Sequence, residues 1–529
     1  MSSRAAGAAS PALAACAGLA VLLAHPPVGW WWTSFLAPGL LLAALDLDVR
    51  AASGRGVRAG RLGALAGLVA FAPMLSWLIA PAGVVGWGLL TLIQAAWMAL
   101  LAALIRPALN SPWLAVVAAV AWTGIDAWRS IVPLNGFGWG ALAYAHVDGS
   151  WLLPTARLVG GRGITLLVVL IGAAAYAAGR ATVRGVRSDP DHDVERAVAR
   201  ARIPFGLLVG GLLVSVLATI EPPEPVGSLD VLVVQGNDIR HWEQPVADAP
   251  LTITTAQRDL TLEAIDAGGR PELTVWPESS IDRDPSTERG APLAALVDEA
   301  AAAAGTLIAG ASLDGPDPRT QRLIAAVQYQ DGFHEVDRYI KRRLVPFGEF
   351  VPLRPWLDWF PPLEQVPRDA KPGQGPQTLH LPDGTPIAVA ICFETLFTEV
   401  VRSNVRGERD AAQLLLAVTN DASFRDSAEP DQHLAQSQLR AVETGRWVVH
   451  GALSGASAFV DPDGALHDRT ELFTRDTLRR QVPLVSGSTP FLVIGDVLGW
   501  LTRGLAVVLL GGVVLAGWRR RSDGTGPTR

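Results

Sequence analysis

The chain has 529 residues, half of them hydrophobic and only 18% charged, with a net charge of −6. That balance is too apolar for an ordinary soluble protein of this length, and with no basic excess, zinc-finger spacing or phosphate-binding loop it gives no sign of nucleic acid as a partner. Two cysteines, Cys16 and Cys392, far apart in sequence, exclude a disulfide framework, so Cys392 has to be explained singly.

In chain order, the first half is a series of apolar segments: Pro11–His25, Val28–Leu45, Leu62–Ala80, Val84–Ile105, Pro112–Trp128, Leu158–Ala178 and Ile203–Ile220. Each approaches the ~20 residues that cross a hydrocarbon core. The first is short. Leu13-Ala14-Ala15-Cys16 within it has the look of a lipoprotein cleavage box, but the apolar run continues past Cys16 to Ala24, whereas a signal's apolar stretch precedes its cleavage site. A first membrane helix is therefore expected. Trp30, Trp31 and Trp32 suit a membrane–water interface or a buried aromatic cluster. Pro190–Arg200 and Glu221–Pro225 are charged or Pro-rich linkers. From Glu221 to Pro490 the pattern changes to short β-rich runs between helical stretches, and Phe491–Trp518 is an eighth apolar span.

Arginines near span ends mark cytoplasmic loops. Arg50, Arg55, Arg58 and Arg61 follow the second segment, and Arg106 follows the fourth. Arg180, Arg184, Arg187, Arg200 and Arg202 separate the sixth from the seventh, and Arg519, Arg520 and Arg521 follow the eighth. Every second loop is basic, as eight spans with both ends in the cytoplasm require. Arg129 and Arg157 are the exceptions. The expected organisation is a seven-span membrane domain over 1–220, an extracytoplasmic domain over 221–490, an eighth span over 491–518 and a basic cytoplasmic tail over 519–529.

In the 221–490 domain, Leu229–Gln235, Leu273–Trp276, Thr306–Ala309, Ile387–Ile391 and Gln413–Thr419 read as strands, alternating with helical stretches such as Pro292–Ala304 and Gln432–Thr444. Pro292 suits a first helical position, where its missing N–H costs nothing. This alternation predicts an α/β fold with buried sheets, whose reactive groups collect at strand ends. Glu278, Cys392 and Asn420 stand at such ends. Cys392 follows the strand Ile387–Ile391, and a strand-to-helix elbow there would expose it and lower its pKa. The same position suits a buried, inert cysteine. Glu278, in Trp276-Pro277-Glu278-Ser279, can be a desolvated base or a first-turn helix acid. Lys341 can stabilise a thiolate or an oxyanion. Arg342 and Arg343, beside it, suit a solvated basic turn.

Taken together, in the order Glu, Lys, Cys and with their flanking residues, these groups resemble the catalytic set of the nitrilase (carbon–nitrogen hydrolase) superfamily. Lys341–Pro352 (KRRLVPFGEFVP), Val234-Gln235-Gly236-Asn237, Trp276–Ser279, Cys392-Phe393-Glu394 and Thr419-Asn420-Asp421 look like its membrane-bound branch, the apolipoprotein N-acyltransferases. The resemblance extends over nearly the whole chain. It implies about eight spans and a nitrilase-like α-β-β-α sandwich between the last two, in a bacterial plasma membrane. It implies Cys392 as nucleophile, Glu278 as general base and acid, and Lys341 as the charge on the oxyanion. Glu349 matches a second glutamate that orients the lysine. Glu394 and Trp242 match positions implicated in activity, and a packed, structural Trp242 is equally consistent.

The implied reaction moves an acyl chain from a phospholipid through a Cys392 thioester to the amine of a diacylglyceryl-cysteine lipoprotein, without metal or diffusible cofactor. A membrane-tethered amidase and an inactive scaffold are the alternatives, and the intact triad argues against the second. Some positions depart from the pattern: Phe393 stands where a tyrosine is usual. Ala422-Ser423-Phe424-Arg425 replaces Ala-Trp-Phe-Gly, and His450-Gly451-Ala452-Leu453-Ser454-Gly455 replaces Arg-x-x-Asn-x-Gly.

Overall fold

The computed structural model describes residues 3–51, 57–187, 194–217, 220–237, 248–357 and 366–523. Two compact units emerge, one of Met1–Ile220 with Asp496–Arg529 and one of Glu221–Gly495.

The first unit is helical: α1 (Ser3–Ala24), α2 (Leu36–Ala51), α3 (Val57–Met74), α4 (Ile79–Ile105), α5 (Leu114–Arg129), α6 (Ala156–Arg187), α7 (Val194–Leu217) and a last helix, Val497–Asp523. Among the described residues, four stretches are long and apolar enough to cross a membrane: Trp31–Val49, Ser76–Ala108, Leu153–Val183 and Val497–Ala516. Ala9–Ala24 and Arg202–Val216 are shorter apolar helices. The other helices fall short for reasons written in them. α3 begins among Arg58 and Arg61, and α5 is 16 residues long and carries Asp126 and Arg129. Small residues let these helices approach closely. A Cβ on Gly63 of α3 would stand 2.2 Å from the Met98 carbonyl oxygen of α4.

The two arginines that broke the loop pattern are internal. Arg129 is buried, pairs with Asp126 at 2.7 Å and donates to Gln94 and to the carbonyl of Trp139. Arg157 is buried and donates to the Ile220 carbonyl. Buried charges persist where the protein itself satisfies them. Of the tryptophans, Trp30 and Trp32 are exposed and stacked on each other, while Trp31 packs edge-on against Trp151. The apolar run from Phe491 is not one helix. Gly495 takes φ 85, ending a short helix at Pro490–Ile494 before the last helix begins at Val497.

The second unit is built on two sheets. Its strands are β1 (Pro225–Gln235), β2 (Leu273–Ile281), β3 (Thr306–Asp314), β4 (Gln321–Gln330), β5 (Glu335–Ile340), β6 (Asp369–Ala370), β7 (Thr378–His380), β8 (Pro386–Ile391), β9 (Leu414–Thr419), β10 (Val448–Ala452), β11 (Ala458–Val460), β12 (Leu466–His467) and β13 (Asp476–Val485). One sheet runs β13-β1-β2-β3-β4-β5, with β6 beside β4, and the other runs β12-β11-β10-β9-β8-β7. β1-β2-β3 and β8-β9-β10 are parallel. Parallel pairs need crossovers. Here they are α8 (Ala249–Gly268), α9 (Ala291–Ala304), α11 (Thr398–Arg406) and α12 (Glu429–Thr444), with the one-turn α10 (Arg354–Leu357) in a loop.

Every residue of β8 and β9 is buried, because both faces of the sheet are covered. Ile387, Val389 and Ile391, with Leu414, Leu416 and Val418, point inward to the other sheet's Val231, Val233, Leu273 and Val275. Ala388, Ala390, Leu415 and Ala417 point outward to Val401, Val405, Leu434 and Ala441 on α11 and α12. The other sheet repeats the device with Leu232, Val234, Trp276 and Leu307 under Leu293 and Val297 of α9. The layers are thus helix, sheet, sheet, helix, and the parallel strands aim their carboxyl ends at one edge.

Leu416→Ala, which opens a cavity between the sheets, is expected to cost about 2–5 kcal/mol. It would be read as a drop of several degrees in the thermal unfolding midpoint of the detergent-solubilised full chain. An unchanged midpoint would contradict this packing.

Candidate active site

The carboxyl ends of β2, β5, β8 and β9 deliver Glu278, Lys341, Cys392 and Asn420. Glu278 lies inside β2, not beyond it, at a bulge. The β2–β3 register shifts between Trp276 and Ile281, and Ser279 takes φ 63. The bulge needs Gly310 opposite. A Cβ there would come within 2.4 Å of the Pro277 oxygen and 2.5 Å of the Glu278 Cα. A bulge re-aims a side chain out of the ladder, and Glu278 turns toward Lys341.

Lys341 is fully buried, at 0% exposure. Its Nζ donates to Glu278 Oε1 at 2.9 Å and to Glu349 Oε1 at 2.5 Å. Its own loop supplies Glu349, whose Oε2 accepts from Val345 N at 2.8 Å. Burial works against the Lys341 charge, but Glu278, Glu349 and Cys392 together hold its pKa well above the ordinary lysine value. Burial first, then the neighbouring Glu278, raises Glu349 against the downward pull of Lys341. Glu278 Oε2 accepts from the Asn420 N–H at 3.2 Å, so both of its oxygens are held.

Cys392 is half-buried and takes φ 49, a left-handed conformation that is costly for a residue with a Cβ. A five-residue 3₁₀ turn, Cys392–Leu396, follows it. The elbow expected from the sequence is present, but its effect on the thiol is opposite in sign. Burial, then the Glu278 charge, pushes the Cys392 thiol well above the usual cysteine range, against the pull of Lys341. The short turn ends before it can offer the favourable terminus of a long helix.

Glu394 is adjacent to Cys392 in sequence but serves the backbone. It accepts from Ile391 N, Arg342 N, Arg343 N and Tyr339 Oη at 2.7–3.1 Å. Burial raises its pKa and these backbone donors oppose the rise. It ties the Lys341 loop to the Cys392 elbow. Arg342 is not simply solvated: it donates to Ser403 and Asn404 of α11, and Arg343 lies over the Phe397 ring. Gln235 and Asn237 of the Val-Gln-Gly-Asn motif bind the loop carbonyls of Glu471 and Phe473. Trp242 lies outside the described residues.

Phe393, where a tyrosine is usual, packs edge-on against Phe397 at 4.9 Å. His450 and Leu453 are buried. Burial, then His433, lowers the His450 pKa to about 3, so it stands neutral. Sequence reasoning named Asp421 only within the Thr419-Asn420-Asp421 motif and gave no role to it or to His433. The available signal was a histidine early in the Gln432–Thr444 helix and an acid directly after Asn420. Among the described residues, Asp421, Glu429 and His433 bring ligand atoms within 4.8 Å of one another, a donor set that could hold a divalent cation. Chemically, the main cluster offers a thiol, a held carboxylate to take its proton and a buried ammonium to meet negative charge.

Two family models match the chain. One, described as Apolipoprotein N-acyltransferase N-terminal domain, covers residues 17–174. The other, described as Carbon-nitrogen hydrolase, covers residues 251–488. The apolipoprotein N-acyltransferase of Ralstonia nicotianae is 31% identical, across 92% of this chain and 90% of its own. That of Azotobacter vinelandii is 30% identical across 97% and 96%, and that of Mycolicibacterium smegmatis 30% across 93% and 83%. Among solved structures, an amidase from Nesterenkonia sp. aligns with 54% of this chain and 98% of its own, at 20% identity and a TM-score of 0.37.

Because its pKa is raised, Cys392 of the resting protein is expected to be largely thiol at neutral pH. Alkylation by iodoacetamide, followed by peptide mass spectrometry, is then slow at pH 7 and still climbing past pH 9. A rate that levels off below pH 8 would place the pKa on the other side of the ordinary value.

Proposed function

The chain belongs to the apolipoprotein N-acyltransferase family, and from that premise we propose how it works: Cys392 carries an acyl group from a phospholipid to a lipoprotein amine, with Glu278 and Lys341 as its partners. The protein is a membrane acyltransferase of lipoprotein biosynthesis. The observation that carries the assignment of roles is the fully buried Lys341 ammonium, held on Glu278 and Glu349 with the Cys392 thiol inside its field.

In the first half-reaction, Glu278 takes the thiol proton as sulfur attacks the ester carbonyl carbon of a phospholipid. The electron pair moves onto the carbonyl oxygen, where Lys341 and the Phe393 N–H meet it. Collapse expels the lysophospholipid alkoxide, which takes the proton from Glu278 and leaves a thioester. In the second half, the α-amine of diacylglyceryl-cysteine attacks the thioester. Glu278 accepts the ammonium proton and returns it to the departing sulfur, and the product is an amide. Glu349 holds Lys341 in place throughout. Trp242 is proposed as a substrate contact and Glu394 as the tie between the lysine loop and the elbow.

The same reading includes seven spans in 1–220, with α1, α3, α5 and α7 as the shorter ones, an extracytoplasmic catalytic domain in 221–490, an eighth span supplied by the helix that begins at Val497, and cytoplasmic ends in a bacterial plasma membrane. The alternation of basic loops supports it. So does the internal pairing of Arg129 and Arg157, which removes them from the loop charges. An acyl donor that resides in a bilayer requires an enzyme retained there, and a soluble amidase would need no such spans.

Purified full-length protein incubated with acyl-labelled phospholipid is expected to carry label on Cys392 by mass spectrometry and to pass it to a diacylglyceryl lipopeptide. Cys392→Ser should give neither thioester nor product. Lys341→Met, which removes the oxyanion charge, should slow thioester formation by roughly 10²–10³-fold. Acid release from amides, with no acyl group on Cys392 from lipid, would identify a hydrolase instead.

A further inference from the structure

Behind Cys392 lies a second buried set of side chains that the acyl-transfer steps do not use. His433, on α12, has Nε2 at 3.1 Å from the Cys392 carbonyl oxygen and 3.0 Å from Thr395 Oγ1. Thr395 Oγ1 is itself 3.0 Å from that carbonyl and 3.0 Å from Gln436 Oε1. On the other side of the ring, Nδ1 is 3.3 Å from Asp421 Oδ1, and Asp421 is fixed by Thr419 Oγ1 at 2.7 Å. His433, Thr395, Gln436 and Asp421 are all about 1% exposed. The Cys392 carbonyl and the Asp421 carboxylate both only accept, so a hydrogen bond to each requires a proton on both ring nitrogens, Nε2 toward Cys392 and Nδ1 toward Asp421.

We infer that His433 is a positioning residue for the oxyanion hole: by holding the Cys392 carbonyl from behind, it aims the Phe393 N–H at the acyl oxygen in front. The two groups are ends of one planar peptide. That peptide is trans, so its C=O and N–H point to opposite sides and cannot turn independently. The Cys392 backbone is left-handed at φ 49, a state that persists only when neighbours over-determine it. Within the five-residue turn that follows, Thr395 Oγ1 donates to the Cys392 carbonyl at 3.0 Å, and α12 adds a second donor from outside the turn. A donor on the carbonyl also polarises the amide, which strengthens its N–H toward an anion.

Plain packing is the competing account. His433 meets the His450 ring edge-on at 5.4 Å and fills space between α12 and β10. A space-filler would need shape but no donor, and that difference can be tested.

The inference rests on Cys392 as the nucleophile. The experiment is single-turnover thioester formation on full-length protein with acyl-labelled phospholipid, giving a maximal rate and a half-saturating donor concentration. His433→Phe, which keeps ring volume without a donor, is expected to lower the maximal rate about 10–100-fold, bounded by the loss of a whole oxyanion donor. Half-saturation should stay unchanged. His433→Gln, which restores a donor near the Nε2 position, should recover to within about fivefold, by the same reasoning. Wild-type rates in the Phe variant, or equal slowing in Phe and Gln, would overturn the inference. Should the Phe variant fail to fold, Gln against Asn decides. Only Gln reaches the carbonyl, so equal rates count against it. If wild-type protein itself forms no thioester on Cys392, the nucleophile reading fails first, and that outcome is distinct from the others.

Discussion

A lysine ammonium sealed from water must be neutralised by its neighbours, and the Lys341 contacts with Glu278 and Glu349 meet that demand. Much of the local backbone follows from it. Glu278 reaches Lys341 only because β2 bulges, and the bulge exists only because Gly310 leaves room. Glu349 arrives from the turn that follows Lys341 and is kept there by the Val345 N–H. Removing one carboxylate would leave a buried charge poorly compensated, so the three groups stand or fall together. Under the proposed mechanism, the same compensation keeps a full positive charge where a tetrahedral oxyanion would form.

The elbow that presents Cys392 depends on a second set of contacts. Glu394 gathers N–H groups from both the elbow and the Lys341 loop, so Cys392 and Lys341 cannot drift apart. Tyr339 and Asn404 extend that tie into β5 and α11, since the Tyr339 hydroxyl meets Glu394 and accepts from Asn404. On the opposite side, α12 holds the Cys392 carbonyl through His433. A strained residue flanked by such contacts can keep a geometry that the isolated turn would lose. The two layers of helix outside the sheets are therefore part of the site's rigidity as well as of the core.

The elements legible in the sequence were those with a strong local signature. β8 and β9 are continuous aliphatic runs, and a Glu, Lys and Cys with recognisable flanks mark three strand ends. The sign of the Cys392 shift was not legible. The sequence shows the elbow but not the burial or the Glu278 carboxylate beside it. Glu394 matches a family position implicated in activity; what the sequence does not show is that its carboxylate takes N–H groups from the elbow and from the Lys341 loop. His433 was hidden for a related reason: its partner, the Cys392 carbonyl, is a main-chain atom 41 residues away, and no side-chain motif records such a contact. In the membrane unit, Arg129 and Arg157 looked like loop charges until their partners placed them inside.

The raised Cys392 pKa also bears on where such a thiol can survive. Oxidation follows thiolate character, so a standing thiolate on the oxidising side of a membrane would be consumed. With the topology proposed above, a thiol kept protonated by burial and by Glu278 is protected until substrate arrives. In the acyl transfer proposed above, the approach of an ester carbonyl would supply the missing driving force, because the proton can pass to Glu278 as the C–S bond forms and Lys341 meets the new charge on oxygen. Under the proposed mechanism, activation tied to attack in this way would keep the resting thiol inert without slowing the reaction of the bound complex. On the proposed roles it also accounts for a carboxylate as well as a cation beside Cys392: Lys341 alone would favour a permanent thiolate, while Glu278 alone would leave an oxyanion unmet.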